Sequence, residues 1–171
     1  MPVKAGWTGR VFEDFAVGDA YEHPLGRTIL AADNTWFTLL TMNTHTLHFD
    51  AAYAAGTTFE RPLVNSCLTL AIVTGQSVTD LSQNAVANLG WDAVRLSHPV
   101  FEGDTIYARS EVLETRESRS RPNAGIVKVR TTGVNQNGEV VIEFTRTFMV
   151  YRRGHVPAPP VGRTPASSTE R

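Results

Sequence analysis

Pro62-Leu63-Val64-Asn65-Ser66-Cys67-Leu68-Thr69-Leu70-Ala71-Ile72-Val73-Thr74-Gly75 is the stretch that decides the fold. Leu68, Ala71, Ile72, Gly75, Val78 and Leu81 recur at helical spacing, and no charge interrupts them before Asp80. The spacing predicts a mostly buried central helix that starts near Ser66. Everything after it changes period. Ala85 to Pro99, Thr105 to Thr115, Gly125 to Val134 and Glu139 to Tyr151 read as strands, and Asn135-Gln136-Asn137-Gly138 reads as a hairpin turn because Asn and Gly tolerate positive φ. Upstream, Tyr21 to Leu30 is an extended segment broken by Pro24. Ala32-Asp33-Asn34 then offers a helix N-cap, and the helix runs to about Met42 with Trp36, Phe37, Leu39 and Leu40 as its core face. Asp50 is placed to cap a short helix, Ala51 to Ala55, which Gly56 stops.

One strand, helical segments and four antiparallel strands make an α+β chain in which a curved antiparallel sheet wraps one long helix. The open edges of such a sheet need cover, and two copies joined edge to edge would supply it, so a homodimer or a higher assembly of dimers is expected. Residues 1–153 read as one domain, and the Pro-, Gly-, Ser- and Thr-rich 154–171 as a disordered tail.

Composition narrows the partners. In 171 residues, 42% hydrophobic and 19% charged with a net charge of -1, there is no electrostatic footprint for nucleic acid. No stretch approaches the roughly 20 apolar residues of a membrane span, and residues 1–10 carry no apolar leader core. The single cysteine, Cys67, excludes an intramolecular disulfide and reads as core packing, which fits a reducing, cytoplasmic setting.

Chemistry concentrates in Asn43-Thr44-His45-Thr46-Leu47-His48-Phe49-Asp50. Two imidazoles, a carboxamide and a carboxylate fall on a loop between helices, where a rigid scaffold can present them. Imidazole titrates near neutral pH and can move protons to and from water. Ser66, at the helix start, offers unpaired amides to a developing negative charge.

These pieces together resemble the MaoC-like hydratase family of the hotdog fold, over roughly Phe12 to Arg153. Val17-Gly18-Asp19 and Arg27-Thr28-Ile29 resemble its entry strand. Asn43 to Asp50 with Tyr53-Ala54 resembles its Asp-x-Asn-Pro-x-His-x-Asp motif, Phe59 to Ser66 its lead into the central helix, and Pro99-Val100-Phe101-Glu102-Gly103-Asp104-Thr105 its Pro-Val-x-x-Gly-Asp-Thr turn. The chain departs from that pattern at the centre: Asn43 stands at the family's catalytic aspartate, His45 at its asparagine, Thr46 at its proline and Ser66 at its oxyanion-hole glycine. His48 is retained.

The resemblance implies a hydro-lyase that adds water reversibly across the double bond of an enoyl-CoA thioester. The Asn43 and His45 pairing is similar to the branch acting on short branched dicarboxylic acyl-CoAs of the mesaconyl-, itaconyl- or β-methylmalyl-CoA type. In that reading His48 is base and acid, Asn43 orients water, His45 shares proton traffic or meets a substrate carboxylate, and the amides of Ser66 and Cys67 polarise the thioester carbonyl. Arg27 and Arg146 are candidates for a second substrate carboxylate, and Arg116, Arg119 and Arg121 for coenzyme A phosphates. Coenzyme A belongs to the substrate, and no cofactor or metal is expected.

Plainer roles stand beside these. Asn43 can cap the preceding helix, His45 can pack the loop, and the arginine cluster can be a solvated face. A thioesterase on the same scaffold and a non-catalytic acyl-CoA-binding protein are the alternatives. His48-Phe49-Asp50 also matches a fragment of an iron site, but such sites need a distal histidine on a larger double-stranded β-helix, for which the long helix leaves too little chain.

Overall fold

Ser66–Gln76 forms helix α3, the axis of the molecule, in a computed structural model that describes residues 4 and 6–158. Asn65 is its N-cap, with Oδ1 accepting the Cys67 N–H at 3.0 Å. A single π-helical turn, Val78–Ser82, continues it and buries Leu81. Leu68, Thr69 and Val73 form the buried stripe of α3. The expectation of a mostly buried helix holds for that stripe and not for the opposite one, where Ser66, Cys67, Ala71 and Gly75 are exposed. Cys67, expected in the core, therefore lies on the surface of the chain, because it falls on the far side of the helix from Val73.

Among the described residues, six antiparallel strands wrap this helix: β1 (Ala20–Glu22), β2 (Arg27–Thr28), β3 (Ala85–Leu96), β4 (Thr105–Glu117), β5 (Ala124–Val134) and β6 (Val140–Tyr151). The order is β1-β4-β5-β6-β3, with β2 also on β4. Alternation sets the faces. Ile106, Ala108, Ser110 and Val112 of β4 point inward and are buried, whereas Tyr107, Arg109 and Glu111 are exposed. Gly133 lets α3 approach the sheet, since a Cβ there would stand 2.7 Å from Val73 Cγ2 and 2.8 Å from Ile142 Cγ2. The β5–β6 turn has the expected chemistry: Gly138 adopts φ +79°, and Asn135 Oδ1 accepts the N–H groups of Asn137 and Glu139. This is the hotdog arrangement that the resemblance implied.

Among the described residues two α-helices precede α3. Helix α1 spans Ala31–Leu40 and α2 spans Ala51–Ala55, the latter capped by Asp50, whose Oδ1 accepts the Tyr53 N–H at 2.9 Å. The N-terminal cap of α1 is one turn earlier than expected. Leu30 is the N-cap, and Asp33 inside the first turn accepts the Leu30 N–H at 2.9 Å. The face of α1 is also reversed. Trp36, Leu39 and Leu40 are 75%, 52% and 78% exposed, Phe37 packs on the core, and the buried residues are Asn34 and Thr38. At its other end Met42 takes φ +60°, while the N–H groups of Met42 and Asn43 return to Leu39 and Thr38 O.

The long edge of the sheet is β3, whose Leu89, Trp91, Val94 and Leu96 are each at least two-fifths exposed. Among the described residues no helix is long and apolar enough to cross a membrane. Of the expected tail 154–171, residues 159–171 lie outside those described; in 154–158, the His155 N–H donates to Arg152 O.

Candidate active site

Asn43 to Asp50 leaves α1 and passes through a 3₁₀ turn, Thr46–His48, before α2 begins. Asn43 does not cap α1 with its side chain. Its Oδ1 accepts the His45 N–H at 3.0 Å, bending the chain into the loop, and among the described residues its Nδ2 has no acceptor. His45 Nδ1 accepts the Leu47 N–H at 3.1 Å, so its ring presents Nε2–H and acts as a donor. The His45 and His48 rings lie 5.7 Å apart, and Tyr53 stands 6.3 Å from His45.

His48 is oriented by a single backbone group. Its Nδ1 is 2.8 Å from Leu63 O, and a carbonyl can only accept, so Nδ1 carries the proton. In neutral imidazole the lone pair then sits on Nε2, the arrangement a general base requires. Leu63 is itself held by its N–H on Leu47 O at 3.2 Å and by a bridge to Phe101, and the Val64 N–H donates to Val100 O.

Two residues beyond Val64 the α3 N-terminus begins. The Cys67 N–H is committed to Asn65 Oδ1, and the Leu68 and Thr69 N–H groups reach Asn65 O at 2.9 and 3.2 Å. Among the described residues the Ser66 N–H alone in this first turn has no protein acceptor. The helix start can therefore offer one amide to an oxyanion, from Ser66, and the Cys67 amide is spent on the cap. A cavity of about 240 Å³ opens beside it, lined by Phe59, Leu63, Ser66, Thr69, Ser97 and His98 among others. His48 does not line this cavity; Leu63 joins the two.

The arginines named from sequence are elsewhere. Arg27 clasps Asp33 through Nη2 at 2.8 and 2.7 Å and anchors the first turn of α1. Arg146 is 5% exposed and donates to Asn88 Oδ1, Ser77 Oγ and Ser82 Oγ, and burial among neutral oxygens lowers its pKa. Ser77 lies a full α3 length beyond Ser66, about 16 Å at 1.5 Å per residue, so Arg146 cannot reach the acyl end of a short substrate whose thioester sits at Ser66. Arg116 pairs with Glu114 near the end of β4, and Arg119 and Arg121 follow in the β4–β5 turn, some 40 Å of strand from Thr105. Within one chain that cluster is at the opposite end of the sheet. On the site side, the exposed Arg61 lies 4.0 Å over the Phe101 ring.

Sequence reading missed Asn34 and Thr38, whose i, i+4 spacing puts a polar stripe on the buried face of α1. Asn34 Nδ2 donates to His48 O at 2.8 Å and to Leu63 O at 3.0 Å, and its Oδ1 accepts the Asn65 N–H at 2.9 Å. Thr38 Oγ1 accepts Asn65 Nδ2 at 3.2 Å. Among the described residues no three His, Cys, Asp or Glu side chains converge as a metal site, and the Asp50 carboxylate serves as a cap.

A family model described as mesaconyl-CoA hydratase matches residues 3–170. The chain belongs to the mesaconyl-CoA hydratase family. Within it, the chain is 36% identical over 156 residues to the mesaconyl-CoA hydratase of Cereibacter sphaeroides, covering 90% of this chain and 45% of that protein. It is 38% identical over 152 residues to the beta-methylmalyl-CoA dehydratase of Chloroflexus aurantiacus, covering 88% and 43%. A solved MaoC domain protein from Chloroflexus aurantiacus superposes with a TM-score of 0.83 at 35% identity, covering 95% of this chain and 46% of that one. The chain thus spans about half the length of the curated relatives it matches.

Proposed function

We propose that this chain supplies the catalytic half-site of a hydro-lyase that adds water reversibly across the α,β double bond of a short branched dicarboxylic acyl-CoA of the mesaconyl-CoA type. The observation that carries the reading is the His48 Nδ1–H bond to Leu63 O, which leaves Nε2 as a base and anchors its ring to the short segment, Leu63 to Ser66, that delivers the free Ser66 N–H. The names of the relatives, mesaconyl-CoA hydratase and beta-methylmalyl-CoA dehydratase, support the substrate class.

In this mechanism Nε2 of His48 takes a proton from water as its oxygen bonds to the β-carbon and the π electrons move to the thioester carbonyl. The Ser66 N–H receives the enolate oxygen, and the imidazolium returns a proton to the α-carbon. Asn43 Nδ2 and His45 Nε2–H are donors for the water oxygen or the substrate carboxylate. Coenzyme A enters as part of the substrate, and no step calls on another cofactor. A coenzyme A substrate and the lone Cys67 fit the cytoplasm.

The exposed stripe of α3 and the open β3 edge leave the site walled on one side only. A second copy paired along β3 is the partner we propose, matching the doubled length of the relatives, and size-exclusion chromatography with light scattering reads it directly. For the activity, the purified protein is incubated with mesaconyl-, itaconyl- and crotonyl-CoA. Water addition to a dicarboxylic member, followed by mass and by loss of enoyl absorbance, is the expected result. Release of free coenzyme A instead would make the protein a thioesterase.

A further inference from the structure

We infer that Asn34 is the positioning residue that sets the His48 imidazole and the Ser66 amide in one fixed geometry. Its side chain is buried within α1 and reaches both halves of the site. Two N–H groups go to the carbonyls of His48 and Leu63, and the amide oxygen takes the Asn65 N–H. The amide cannot be turned over: that would set an oxygen against two carbonyl oxygens and an NH₂ against an N–H. Leu63 O thereby receives two donors, Asn34 Nδ2–H and His48 Nδ1–H, so the group that fixes the imidazole tautomer is itself fixed by Asn34.

The second link runs the other way. Asn65 is the cap that determines which amide of α3 is free, and its backbone N–H is held by Asn34. Loop and helix are separated in sequence, and among the described residues only this side chain bonds to His48, Leu63 and Asn65 together. It touches no substrate in this scheme. Its effect is to keep Nε2 and the Ser66 N–H in register with the two ends of one enoyl thioester, and a misplacement of about 1 Å there costs on the order of a hundredfold in rate.

The inference rests on the hydratase reading, and its test separates the two. Asn34→Leu, comparable in size and without hydrogen bonds, is compared with the wild type in thermal melting, in steady-state hydration and in ¹⁵N spectra of the His48 ring. The expected result is a folded protein with kcat lowered about ten- to a hundredfold, KM changed less than threefold, and a His48 ring that no longer holds the Nδ1–H tautomer alone. Asn34→Asp supplies a second variant. Its carboxylate faces two carbonyls at neutral pH and donates to one of them once protonated, so its kcat per folded molecule relative to wild type rises as the pH falls from about 8 to 5, whereas a purely structural role would move the Tm with pH and leave kcat per folded molecule unchanged. Unchanged kcat in both variants overturns the inference. If the wild type hydrates no enoyl-CoA, the hydratase reading falls, and an unaltered His48 ring spectrum in Asn34→Leu then overturns the positioning role on its own.

Discussion

Helices α1 and α3 look alike in sequence and are oriented in opposite ways. Both carry apolar residues at helical spacing, yet α3 buries Leu68 and Val73 against the sheet, while α1 buries Asn34 and Thr38 and turns Trp36, Leu39 and Leu40 outward. The difference lies in what each must touch. α3 meets the inner faces of β4 and β5, where Leu68 and Val73 join Ile106 and Ala108 in one apolar cluster, and Gly133 brings it close. α1 meets the backbone of the His48 loop and of the α3 entry, whose free carbonyls and N–H groups need polar partners. This amphipathic helix thus points its polar side inward where the inside is exposed backbone of a loop and a helix start, and its apolar side remains for cover by another surface.

Substitutions probe the contrast in order of expected effect. Leu81→Ala, in the π turn that extends α3, removes a fully buried side chain and lowers unfolding free energy by about 2–5 kcal/mol, whereas Leu40→Ala on α1 stays within about 0.5 kcal/mol for the isolated chain. Chemical denaturation of both variants measures the gap, and equal losses would mean that the outer face of α1 is covered within the chain. Thr38→Val keeps the shape and strands the buried Asn65 Nδ2, so about 1–3 kcal/mol is lost at a position where an apolar gain would be expected if α1 faced a core. A neutral or stabilised Thr38→Val would remove the polar reading of that face. The smallest effect is at the end of α1. Met42→Gly relieves the left-handed backbone at φ +60° and adds unfolded-chain entropy, for a net gain of about 0.5 kcal/mol seen as a slightly higher Tm.

The strands, the Asn135–Gly138 turn and the Asp50 cap were legible because each is written locally, as alternation, as turn residues or as a cap beside its helix. The His48 loop was legible for the same reason: its residues are contiguous. The orientation of α1 was not, because periodicity gives a stripe and not the direction in which it points. Nor were the arginines. Arg27 and Arg146 have partners fixed by local or long-range packing, a carboxylate six residues on and the neutral oxygens of Ser77 after α3, Ser82 in the π turn and Asn88 on β3, all more than fifty residues away, and Arg119 and Arg121 are separated from the site by the length of β4. Asn34 escaped notice because an Asn beside an Asp at a helix start reads as a cap, and its three partners lie 14 to 31 residues downstream.

In the proposed mechanism His48 Nε2 handles the water proton for an enoyl-CoA. Its most direct test is the single-turnover hydration of mesaconyl-CoA by wild type and by His48→Gln, with circular dichroism to confirm that both are folded. Hydration by the wild type and a fall of at least about a hundredfold in the variant, the scale of a lost general base, are the expected results. Equal rates in the two folded proteins would contradict the mechanism.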